Sequence, residues 1–294
     1  MKENPKVSII TVVYNDVKNI EKCIRNTLLQ TYSNIELIVI DGGSTDGTVD
    51  IIKRYEKYIV WISEKDEGLY DAMNKGTQMS TGKWILFRNC GDFFFNERVI
   101  EEVFNCYEDH GEYFILGNER YYRHWGYKDM KPCILKHSYY QSMPVCHPAT
   151  FVRRTIQLKY PFNIEYRNSA DYDFFIKTFN KGATYKYYDE LFSIFDANVG
   201  TSTDHFDRSL KENIQILESY HAPQVYLDAF KEHLERLTVQ YRRAKNPLYR
   251  WVRQICSYYR QKWNLTWYDA CIQTVNKLDS TGTVSYTHLT LPTK

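Results

Sequence analysis

The chain has 294 residues, 43% hydrophobic and 25% charged, with a formal net charge of +2. That balance is ordinary for a globular protein, and the length allows one large domain with an appendage. That charge argues against a general nucleic-acid binder, which needs a concentrated basic surface. No stretch reaches the roughly 18 apolar residues needed to span a bilayer.

VSIITVV (7–13) is a continuous β-branched run between Pro5 and the polar Tyr14-Asn15-Asp16, which predicts a buried strand. Ile20, Cys23, Ile24 and Leu28 then recur at helical spacing. IELIVI (35–40) predicts a second strand, ending in DGGSTDG before the helical TVDIIKRYEKY. IVWIS (59–63), EGLYDAMNKGTQMS and KWILF predict strand, helix and strand in turn. This alternation is that of a parallel sheet with helices on its faces, where ligands bind beyond the carboxyl ends of the strands. The residues to inspect are therefore Tyr14-Asn15, Asp41 to Gly43, Glu64 to Gly68, and Asn89 to Asp92.

Tyr-rich segments such as EYFILGNERYYRHWGY predict antiparallel strands added to this sheet. HPATFVRR predicts a strand leaving a site loop, with Arg153 and Arg154 on alternate faces. ADYDFFIKTFNKG predicts a helix capped by Gly182. From about 206 to Leu278 the pattern is helical, punctuated by Pro223 and Pro247. The expected divisions are a catalytic domain over 1–205, a helical extension over 206–280, and a foreign tail. That tail, VSYTHLTLPTK (284–294), resembles a translated sequencing adapter, so the natural C-terminus is expected to be missing.

Cysteines stand at 23, 90, 106, 133, 146, 256 and 271, with no CxxC pair. That disfavours a disulfide framework or zinc ribbon and predicts a reducing cytoplasm. The N-terminus lacks the long apolar core of a signal peptide. NPLYRWVRQICSYYRQKWNLTWY mixes basic and aromatic residues on one amphipathic segment. It fits peripheral contact at the inner face of an anionic membrane, or packing on the domain or a second subunit. The 26 Tyr, 15 Phe and 6 Trp likewise suit either sugar-facing surfaces or a tyrosine-rich core.

DGGSTDG invites a phosphate-loop reading, but its spacing fits neither GxGxxG nor GxxxxGK[ST]. Asp41, at a strand end, can instead accept hydrogen bonds from a base or ribose. Ser44, Thr45 and Asp46 can cap the following helix.

TVVYN, DGGSTDGT, SEKDEGLYDAMNKG and NCGDFF stand in the order and spacing of family 2 glycosyltransferases. The chain resembles that family from about residue 6 to 200, and most closely its bacterial members that build surface polysaccharides. The resemblance implies the GT-A fold, a Rossmann-like α/β architecture whose mostly parallel sheet is flanked by helices. It implies an inverting enzyme of hexosyltransferase type that uses a nucleotide-sugar donor, a glycan or lipid-linked acceptor, and Mg²⁺ or Mn²⁺.

Carried over by position, Tyr14, Asn15 and Asp41 hold the nucleoside, and Asp66 and Asp71 line the nucleotide side. Many relatives have Arg where this chain has Met73, so Lys75 is expected to supply the positive charge. Asp92 matches the metal-bearing acid of the DxD motif, whose first acid is replaced by Asn89; helix capping near Glu97 is its structural alternative. One carboxylate plus a diphosphate is enough for a hard cation. Asp171 matches the general base, with Asp173 or a simple N-cap as alternatives. His147 fits an acceptor or diphosphate contact, or a buried histidine, and His205 a further metal ligand. The thinned DxD also admits a catalytically silent, nucleotide-sugar-binding subunit of a polysaccharide assembly complex. A nucleotidyltransferase is disfavoured, since the Gly-rich, basic opening loop is absent.

Overall fold

In the computed structural model, which describes residues 4–123, 126–134, 138–196 and 206–244, the apolar runs become the inner strands of one sheet. β1 (Val7–Val13) is buried along its whole length, as is the carboxyl half of β2 (Ile35–Asp41). β3 (Val60–Ser63) and β4 (Trp84–Phe87) complete the parallel half, in which β1 lies between β2 and β4. Three helices connect these strands: α1 (Ile20–Leu28), α2 (Thr48–Arg54) and α3 (Leu69–Met79). A parallel strand pair needs such a crossover, so the sequential alternation fixes the topology.

The second half is mixed. β5 (Asp92–Phe94), α4 (Val99–Cys106), β6 (Phe114–Arg123) and β7 (Gly126–Met130) follow in order. A 3-10 turn at His147–Ala149 then leads through β8 (Thr150–Arg153) into α5 (Arg154–Lys159), α6 (Ala170–Asn180) and β9 (Tyr185–Asp196). The strand order is β3-β2-β1-β4-β8-β6-β9-β5, with β7 paired to β6. β6, in the Tyr-rich segment, is antiparallel to β7 and β8, as expected, and β8 is antiparallel to β4, but β6 and β9 run parallel.

Strand alternation sends successive side chains to opposite faces. Ile9, Leu37, Val39 and Leu86 pack under α1, α2 and α4. Ile10, Ile38, Ile40 and Phe87 pack under α3 and α6. α3 lies so close that a Cβ on Gly76 would overlap Ile10 Cγ2 and stand 3.4 Å from Ile40 Cγ1. Ile10 is fully buried and has nowhere to move. Gly76→Ala is therefore expected to cost about 1–3 kcal/mol of stability, despite alanine's better helix propensity. Urea unfolding checks this; an unchanged midpoint would show that α3 can lift off the sheet.

By internal contacts the chain divides into one unit ending at Lys231 and another beginning at Glu232. The first unit thus runs past the expected boundary at 205, taking in α7 (Phe206–Ser219) and the first turns of α8 (Gln224–Ala244). Pro223 separates these two helices, as its position implied. The Glu212 carboxylate on α7 accepts backbone N–H groups from Arg167 (3.0 Å), Asn168 (2.8 Å) and Ser169 (2.9 Å), just ahead of α6. No helix among the described residues is long and apolar enough to cross a membrane. His205, the basic-aromatic segment 246–268 and the tail 284–294 lie outside the described residues.

Candidate active site

The carboxyl ends of β1 to β4 carry the expected polar groups. Asp41 ends β2 fully buried. Its Oδ2 accepts N–H of Gly43 (3.1 Å) and Ser44 (2.9 Å) and the Ser63 hydroxyl (2.6 Å), while Oδ1 is buried with no partner. One oxygen thus shapes the DGGS turn and the other is left as an unspent acceptor, a costly state that a ligand donor relieves. Tyr14, 67% exposed, offers an aromatic face beside this turn. A Cβ on Gly42 would stand 3.4 Å from Tyr14 Cδ2 and 3.1 Å from Asp66 Oδ2, so these three groups converge closely.

Several expected contacts have other work. Asn15, in the left-handed region at φ 49°, accepts Thr45 N–H with its Oδ1 and donates its own N–H to Ser44 Oγ. It pins two loops together at the edge of the site. Asp46 accepts the Thr48 N–H and hydroxyl, the local turn expected ahead of α2. Lys75 is not a free cation. Its Nζ lies 2.8 Å from Glu64, 2.6 Å from Asp66 and 3.4 Å from Asp71. Burial opposes its charge, but Asp66 and Glu64 outweigh that and hold the ammonium above its ordinary range. Burial raises the Asp66 carboxyl against the pull of Lys75. Asp71 accepts Glu67 N–H at 3.0 Å and so braces the start of α3.

Arg167 is an unengaged cation at this edge. It is exposed, pairs with no carboxylate among the described residues, and lies so close to Gly68 that a Cβ there would be 2.8 Å from its Nη1. Arg153 is spent on Asp109, and Arg154 donates to Ser80, so neither of that pair faces the cleft.

Asp171 opens α6 with a side chain 20% exposed. Its Oδ1 accepts the Tyr70 hydroxyl at 2.8 Å and its Oδ2 lies 3.5 Å from His147 Nδ1. Burial lowers the His147 pKa against the opposing effect of Asp171, which favours a neutral imidazole at pH 7. His147 Nε2 is buried without a partner. Burial, then the Asp171 charge, drives the Tyr70 phenol well above its usual range, so it remains a donor. Asp173, the alternative acid, is buried between Lys177 (3.0 Å) and the Tyr220 hydroxyl (2.9 Å), which makes it structural.

Asp92 begins β5 and is 5% exposed. One carboxylate oxygen accepts Asn89 N–H at 3.0 Å, while Asp92 N–H returns to Asn89 O at 3.0 Å, closing a tight turn. Capping near Glu97 is not its role. Burial pushes its carboxyl up to about 6, opposed by Arg88, so the ionised form gains from any added cation. Asn89 Oδ1 in the same turn is buried and unpartnered. Two hard oxygens of this kind fit Mg²⁺ or Mn²⁺ chemically. No group of three or more His, Cys, Asp or Glu among the described residues is placed to hold a metal, so such an ion would need oxygens from a bound diphosphate.

Tyr70 and Arg167 were not singled out by sequence. Tyr70 lay inside the quoted EGLYDAMNKG segment, but its partner is 101 residues away.

A sheet of this order, with acid-bearing loops along its carboxyl edge, is the fold of glycosyltransferases that use nucleotide sugars. Residues 8–187 match Glycosyl transferase family 2, and the chain belongs to that family and is a glycosyltransferase. It is 31% identical over 195 residues to a PGL/p-HBAD biosynthesis glycosyltransferase of Mycobacterium bovis (strain BCG / Pasteur 1173P2), covering 61% of this chain and 72% of that one. Among solved structures, residues 1–349 of S. aureus TarS with UDP-GlcNAc superpose at a TM-score of 0.59 and 16% identity, over 76% of this chain and 70% of that one. The chain spans 42% of the longer TarS structure. Mannosyltransferase PcManGT from Pyrobaculum calidifontis, in complex with GDP-Man and Mn²⁺, gives 0.59 at 16% identity over 94% of this chain and 81% of that one. At such identities the structural likeness shows the shared fold.

Proposed function

We propose that this glycosyltransferase is inverting and moves a sugar from a nucleoside-diphosphate sugar to a hydroxyl of a glycan or lipid-linked acceptor. The observation that carries the reading is Asp171. It is a partly exposed carboxylate fixed by Tyr70 and flanked by a neutral His147, with an oxygen free to take a proton. In a single displacement, the acceptor oxygen bonds to the anomeric carbon as the bond to the diphosphate breaks. The acceptor proton passes to Asp171.

Tyr14 gives the base a stacking surface, and Asp41 Oδ1 and Asp66 accept from base or ribose. Asp71 and Asn15 keep those loops in place. Asn89 and Asp92 would hold a divalent cation through oxygen, where it offsets charge on the departing diphosphate. Arg167 takes the diphosphate role expected of Lys75. A single charged hydrogen bond of this kind is worth about 1.5 kcal/mol, so Arg167→Ala is expected to raise the donor KM about tenfold with little change in kcat. Steady-state kinetics check this, and an unchanged KM removes Arg167 from the donor site. The acceptor at the membrane face and a cytoplasmic location belong to the same proposal.

The test is a panel of UDP-, GDP- and dTDP-sugars with Mn²⁺, with and without EDTA. Turnover of one donor is expected, with nucleotide affinity weakened by EDTA and that sensitivity lost in Asp92→Asn. Binding without turnover on any acceptor would favour the silent nucleotide-sugar-binding subunit instead.

A further inference from the structure

The turn that carries Asn89 and Asp92 also carries Cys90, and its neighbour across the fold is a second thiol. Cys23, on α1, is buried, and Cys90 is half-buried. Their sulfurs stand 3.8 Å apart although 67 residues separate them in the chain. Gly91 N–H donates to Cys23 Sγ at 3.1 Å, and Phe94 N–H donates to Asn26 Oδ1 at 2.7 Å, so α1 is laced to the turn on both sides. Cys90 N–H is held by Val12 O at 3.1 Å.

We propose that Cys23 and Cys90 form a reversible dithiol–disulfide site that sets the shape of the Asn89–Asp92 turn and thereby its hold on the donor. A disulfide needs sulfurs about 2.05 Å apart, a closure of under about 2 Å from van der Waals contact. Hydrogen peroxide is a sufficient oxidant and is small enough to reach a half-buried sulfur. One thiol attacks the peroxide O–O bond to give a sulfenic acid and water, and the second thiol displaces a second water as the S–S bond forms. Two thiols and one peroxide thus give one disulfide and two waters. A dithiol reductant reverses the step by exchange.

Closure draws Cys90 toward α1 and, with it, the adjoining oxygens of Asn89 and Asp92. Two packed thiols can also be a mere core contact, but a core contact has no reason to sit in this turn and accept a turn N–H. The effect on donor binding rests on the proposed function; the crosslink does not.

The reduced full chain is treated with hydrogen peroxide and split for non-reducing peptide mass analysis and for nucleotide-sugar binding. The expected results are a Cys23–Cys90 crosslinked peptide and a donor affinity lowered about tenfold or more, both reversed by dithiothreitol. Cys23→Ser binds donor like the reduced wild type before and after peroxide. Separately alkylated Cys23 and Cys90 after oxidation overturn the proposal. So does a crosslink that leaves donor affinity unchanged. If the reduced chain binds no nucleotide sugar, the glycosyltransferase donor assignment fails, while the peptide masses still decide the dithiol site.

Discussion

Asp171→Asn is expected to lower kcat by between about 100-fold and about 10,000-fold, with the donor KM held within about threefold. The substitution keeps shape and most contacts. Asparagine Oδ1 still accepts the Tyr70 hydroxyl, and its amide can donate toward the neutral His147 ring where the carboxylate stood 3.5 Å away. The start of α6 stays braced by Glu212, which binds N–H groups of Arg167, Asn168 and Ser169, not of Asp171. What disappears is the oxygen that can accept a proton from the acceptor. Tyr70→Phe should have a smaller effect, because it loosens the carboxylate but leaves it basic. Single-turnover kinetics with saturating donor separate the two variants. A kcat within about tenfold of wild type for Asp171→Asn would remove the general base, since general-base catalysis is worth more than that. Asp173 would not inherit the role, because Lys177 and Tyr220 already occupy it.

The parallel half of the sheet was legible because its strands are short, continuous β-branched runs separated by amphipathic helices, and parallel pairing leaves few topologies. The mixed half was only partly legible. β6 and β9 are Tyr-rich and unevenly exposed, so nothing in their local pattern shows that they pair in parallel. The acids were legible for a related reason. Asp41 and Asp92 follow apolar runs and Asp171 precedes one, and a resemblance fixed their order. What each acid touches was not legible. Lys75 shows the difference: its i,i+4 partner Asp71 was visible in the sequence, but Glu64 and Asp66 reach it only because the loop after β3 folds back. The charge expected for the diphosphate was therefore already quenched. Arg167 became a candidate only when the three-dimensional edge showed it unpaired against Gly68.

Glu119→Gln should make the protein more stable than wild type at high pH, reversing the usual penalty for altering a buried core position. Glu119 is 1% exposed on β6, and its Oε1 accepts the Ser193 hydroxyl on β9 at 2.7 Å. Asp92 lies on the same face, and Arg88, stacked 4.0 Å from the Phe94 ring, supplies the nearby positive charge. Burial, reinforced by Asp92, pushes the Glu119 carboxyl up to about 8, and burial brings Arg88 down to about 10. The folded protein therefore holds a proton on Glu119 that the unfolded chain releases near its ordinary value of 4.5. More protons on the folded side mean that stability falls as pH rises between those two values, and the loss is complete above about 8. A shift of this size corresponds to a few kcal/mol, an upper bound for one group in a coupled cluster. Glutamine keeps the acceptor for Ser193 and cannot ionise, so the variant loses that slope. Urea unfolding at about pH 6 and about pH 9 should show wild type weakening and Glu119→Gln holding level. Parallel losses in both proteins would mean that Glu119 is ionised in the fold, with Arg88 as its counter-charge. Arg88 would then be committed to Glu119, leaving Asp92 more of its own charge for a cation.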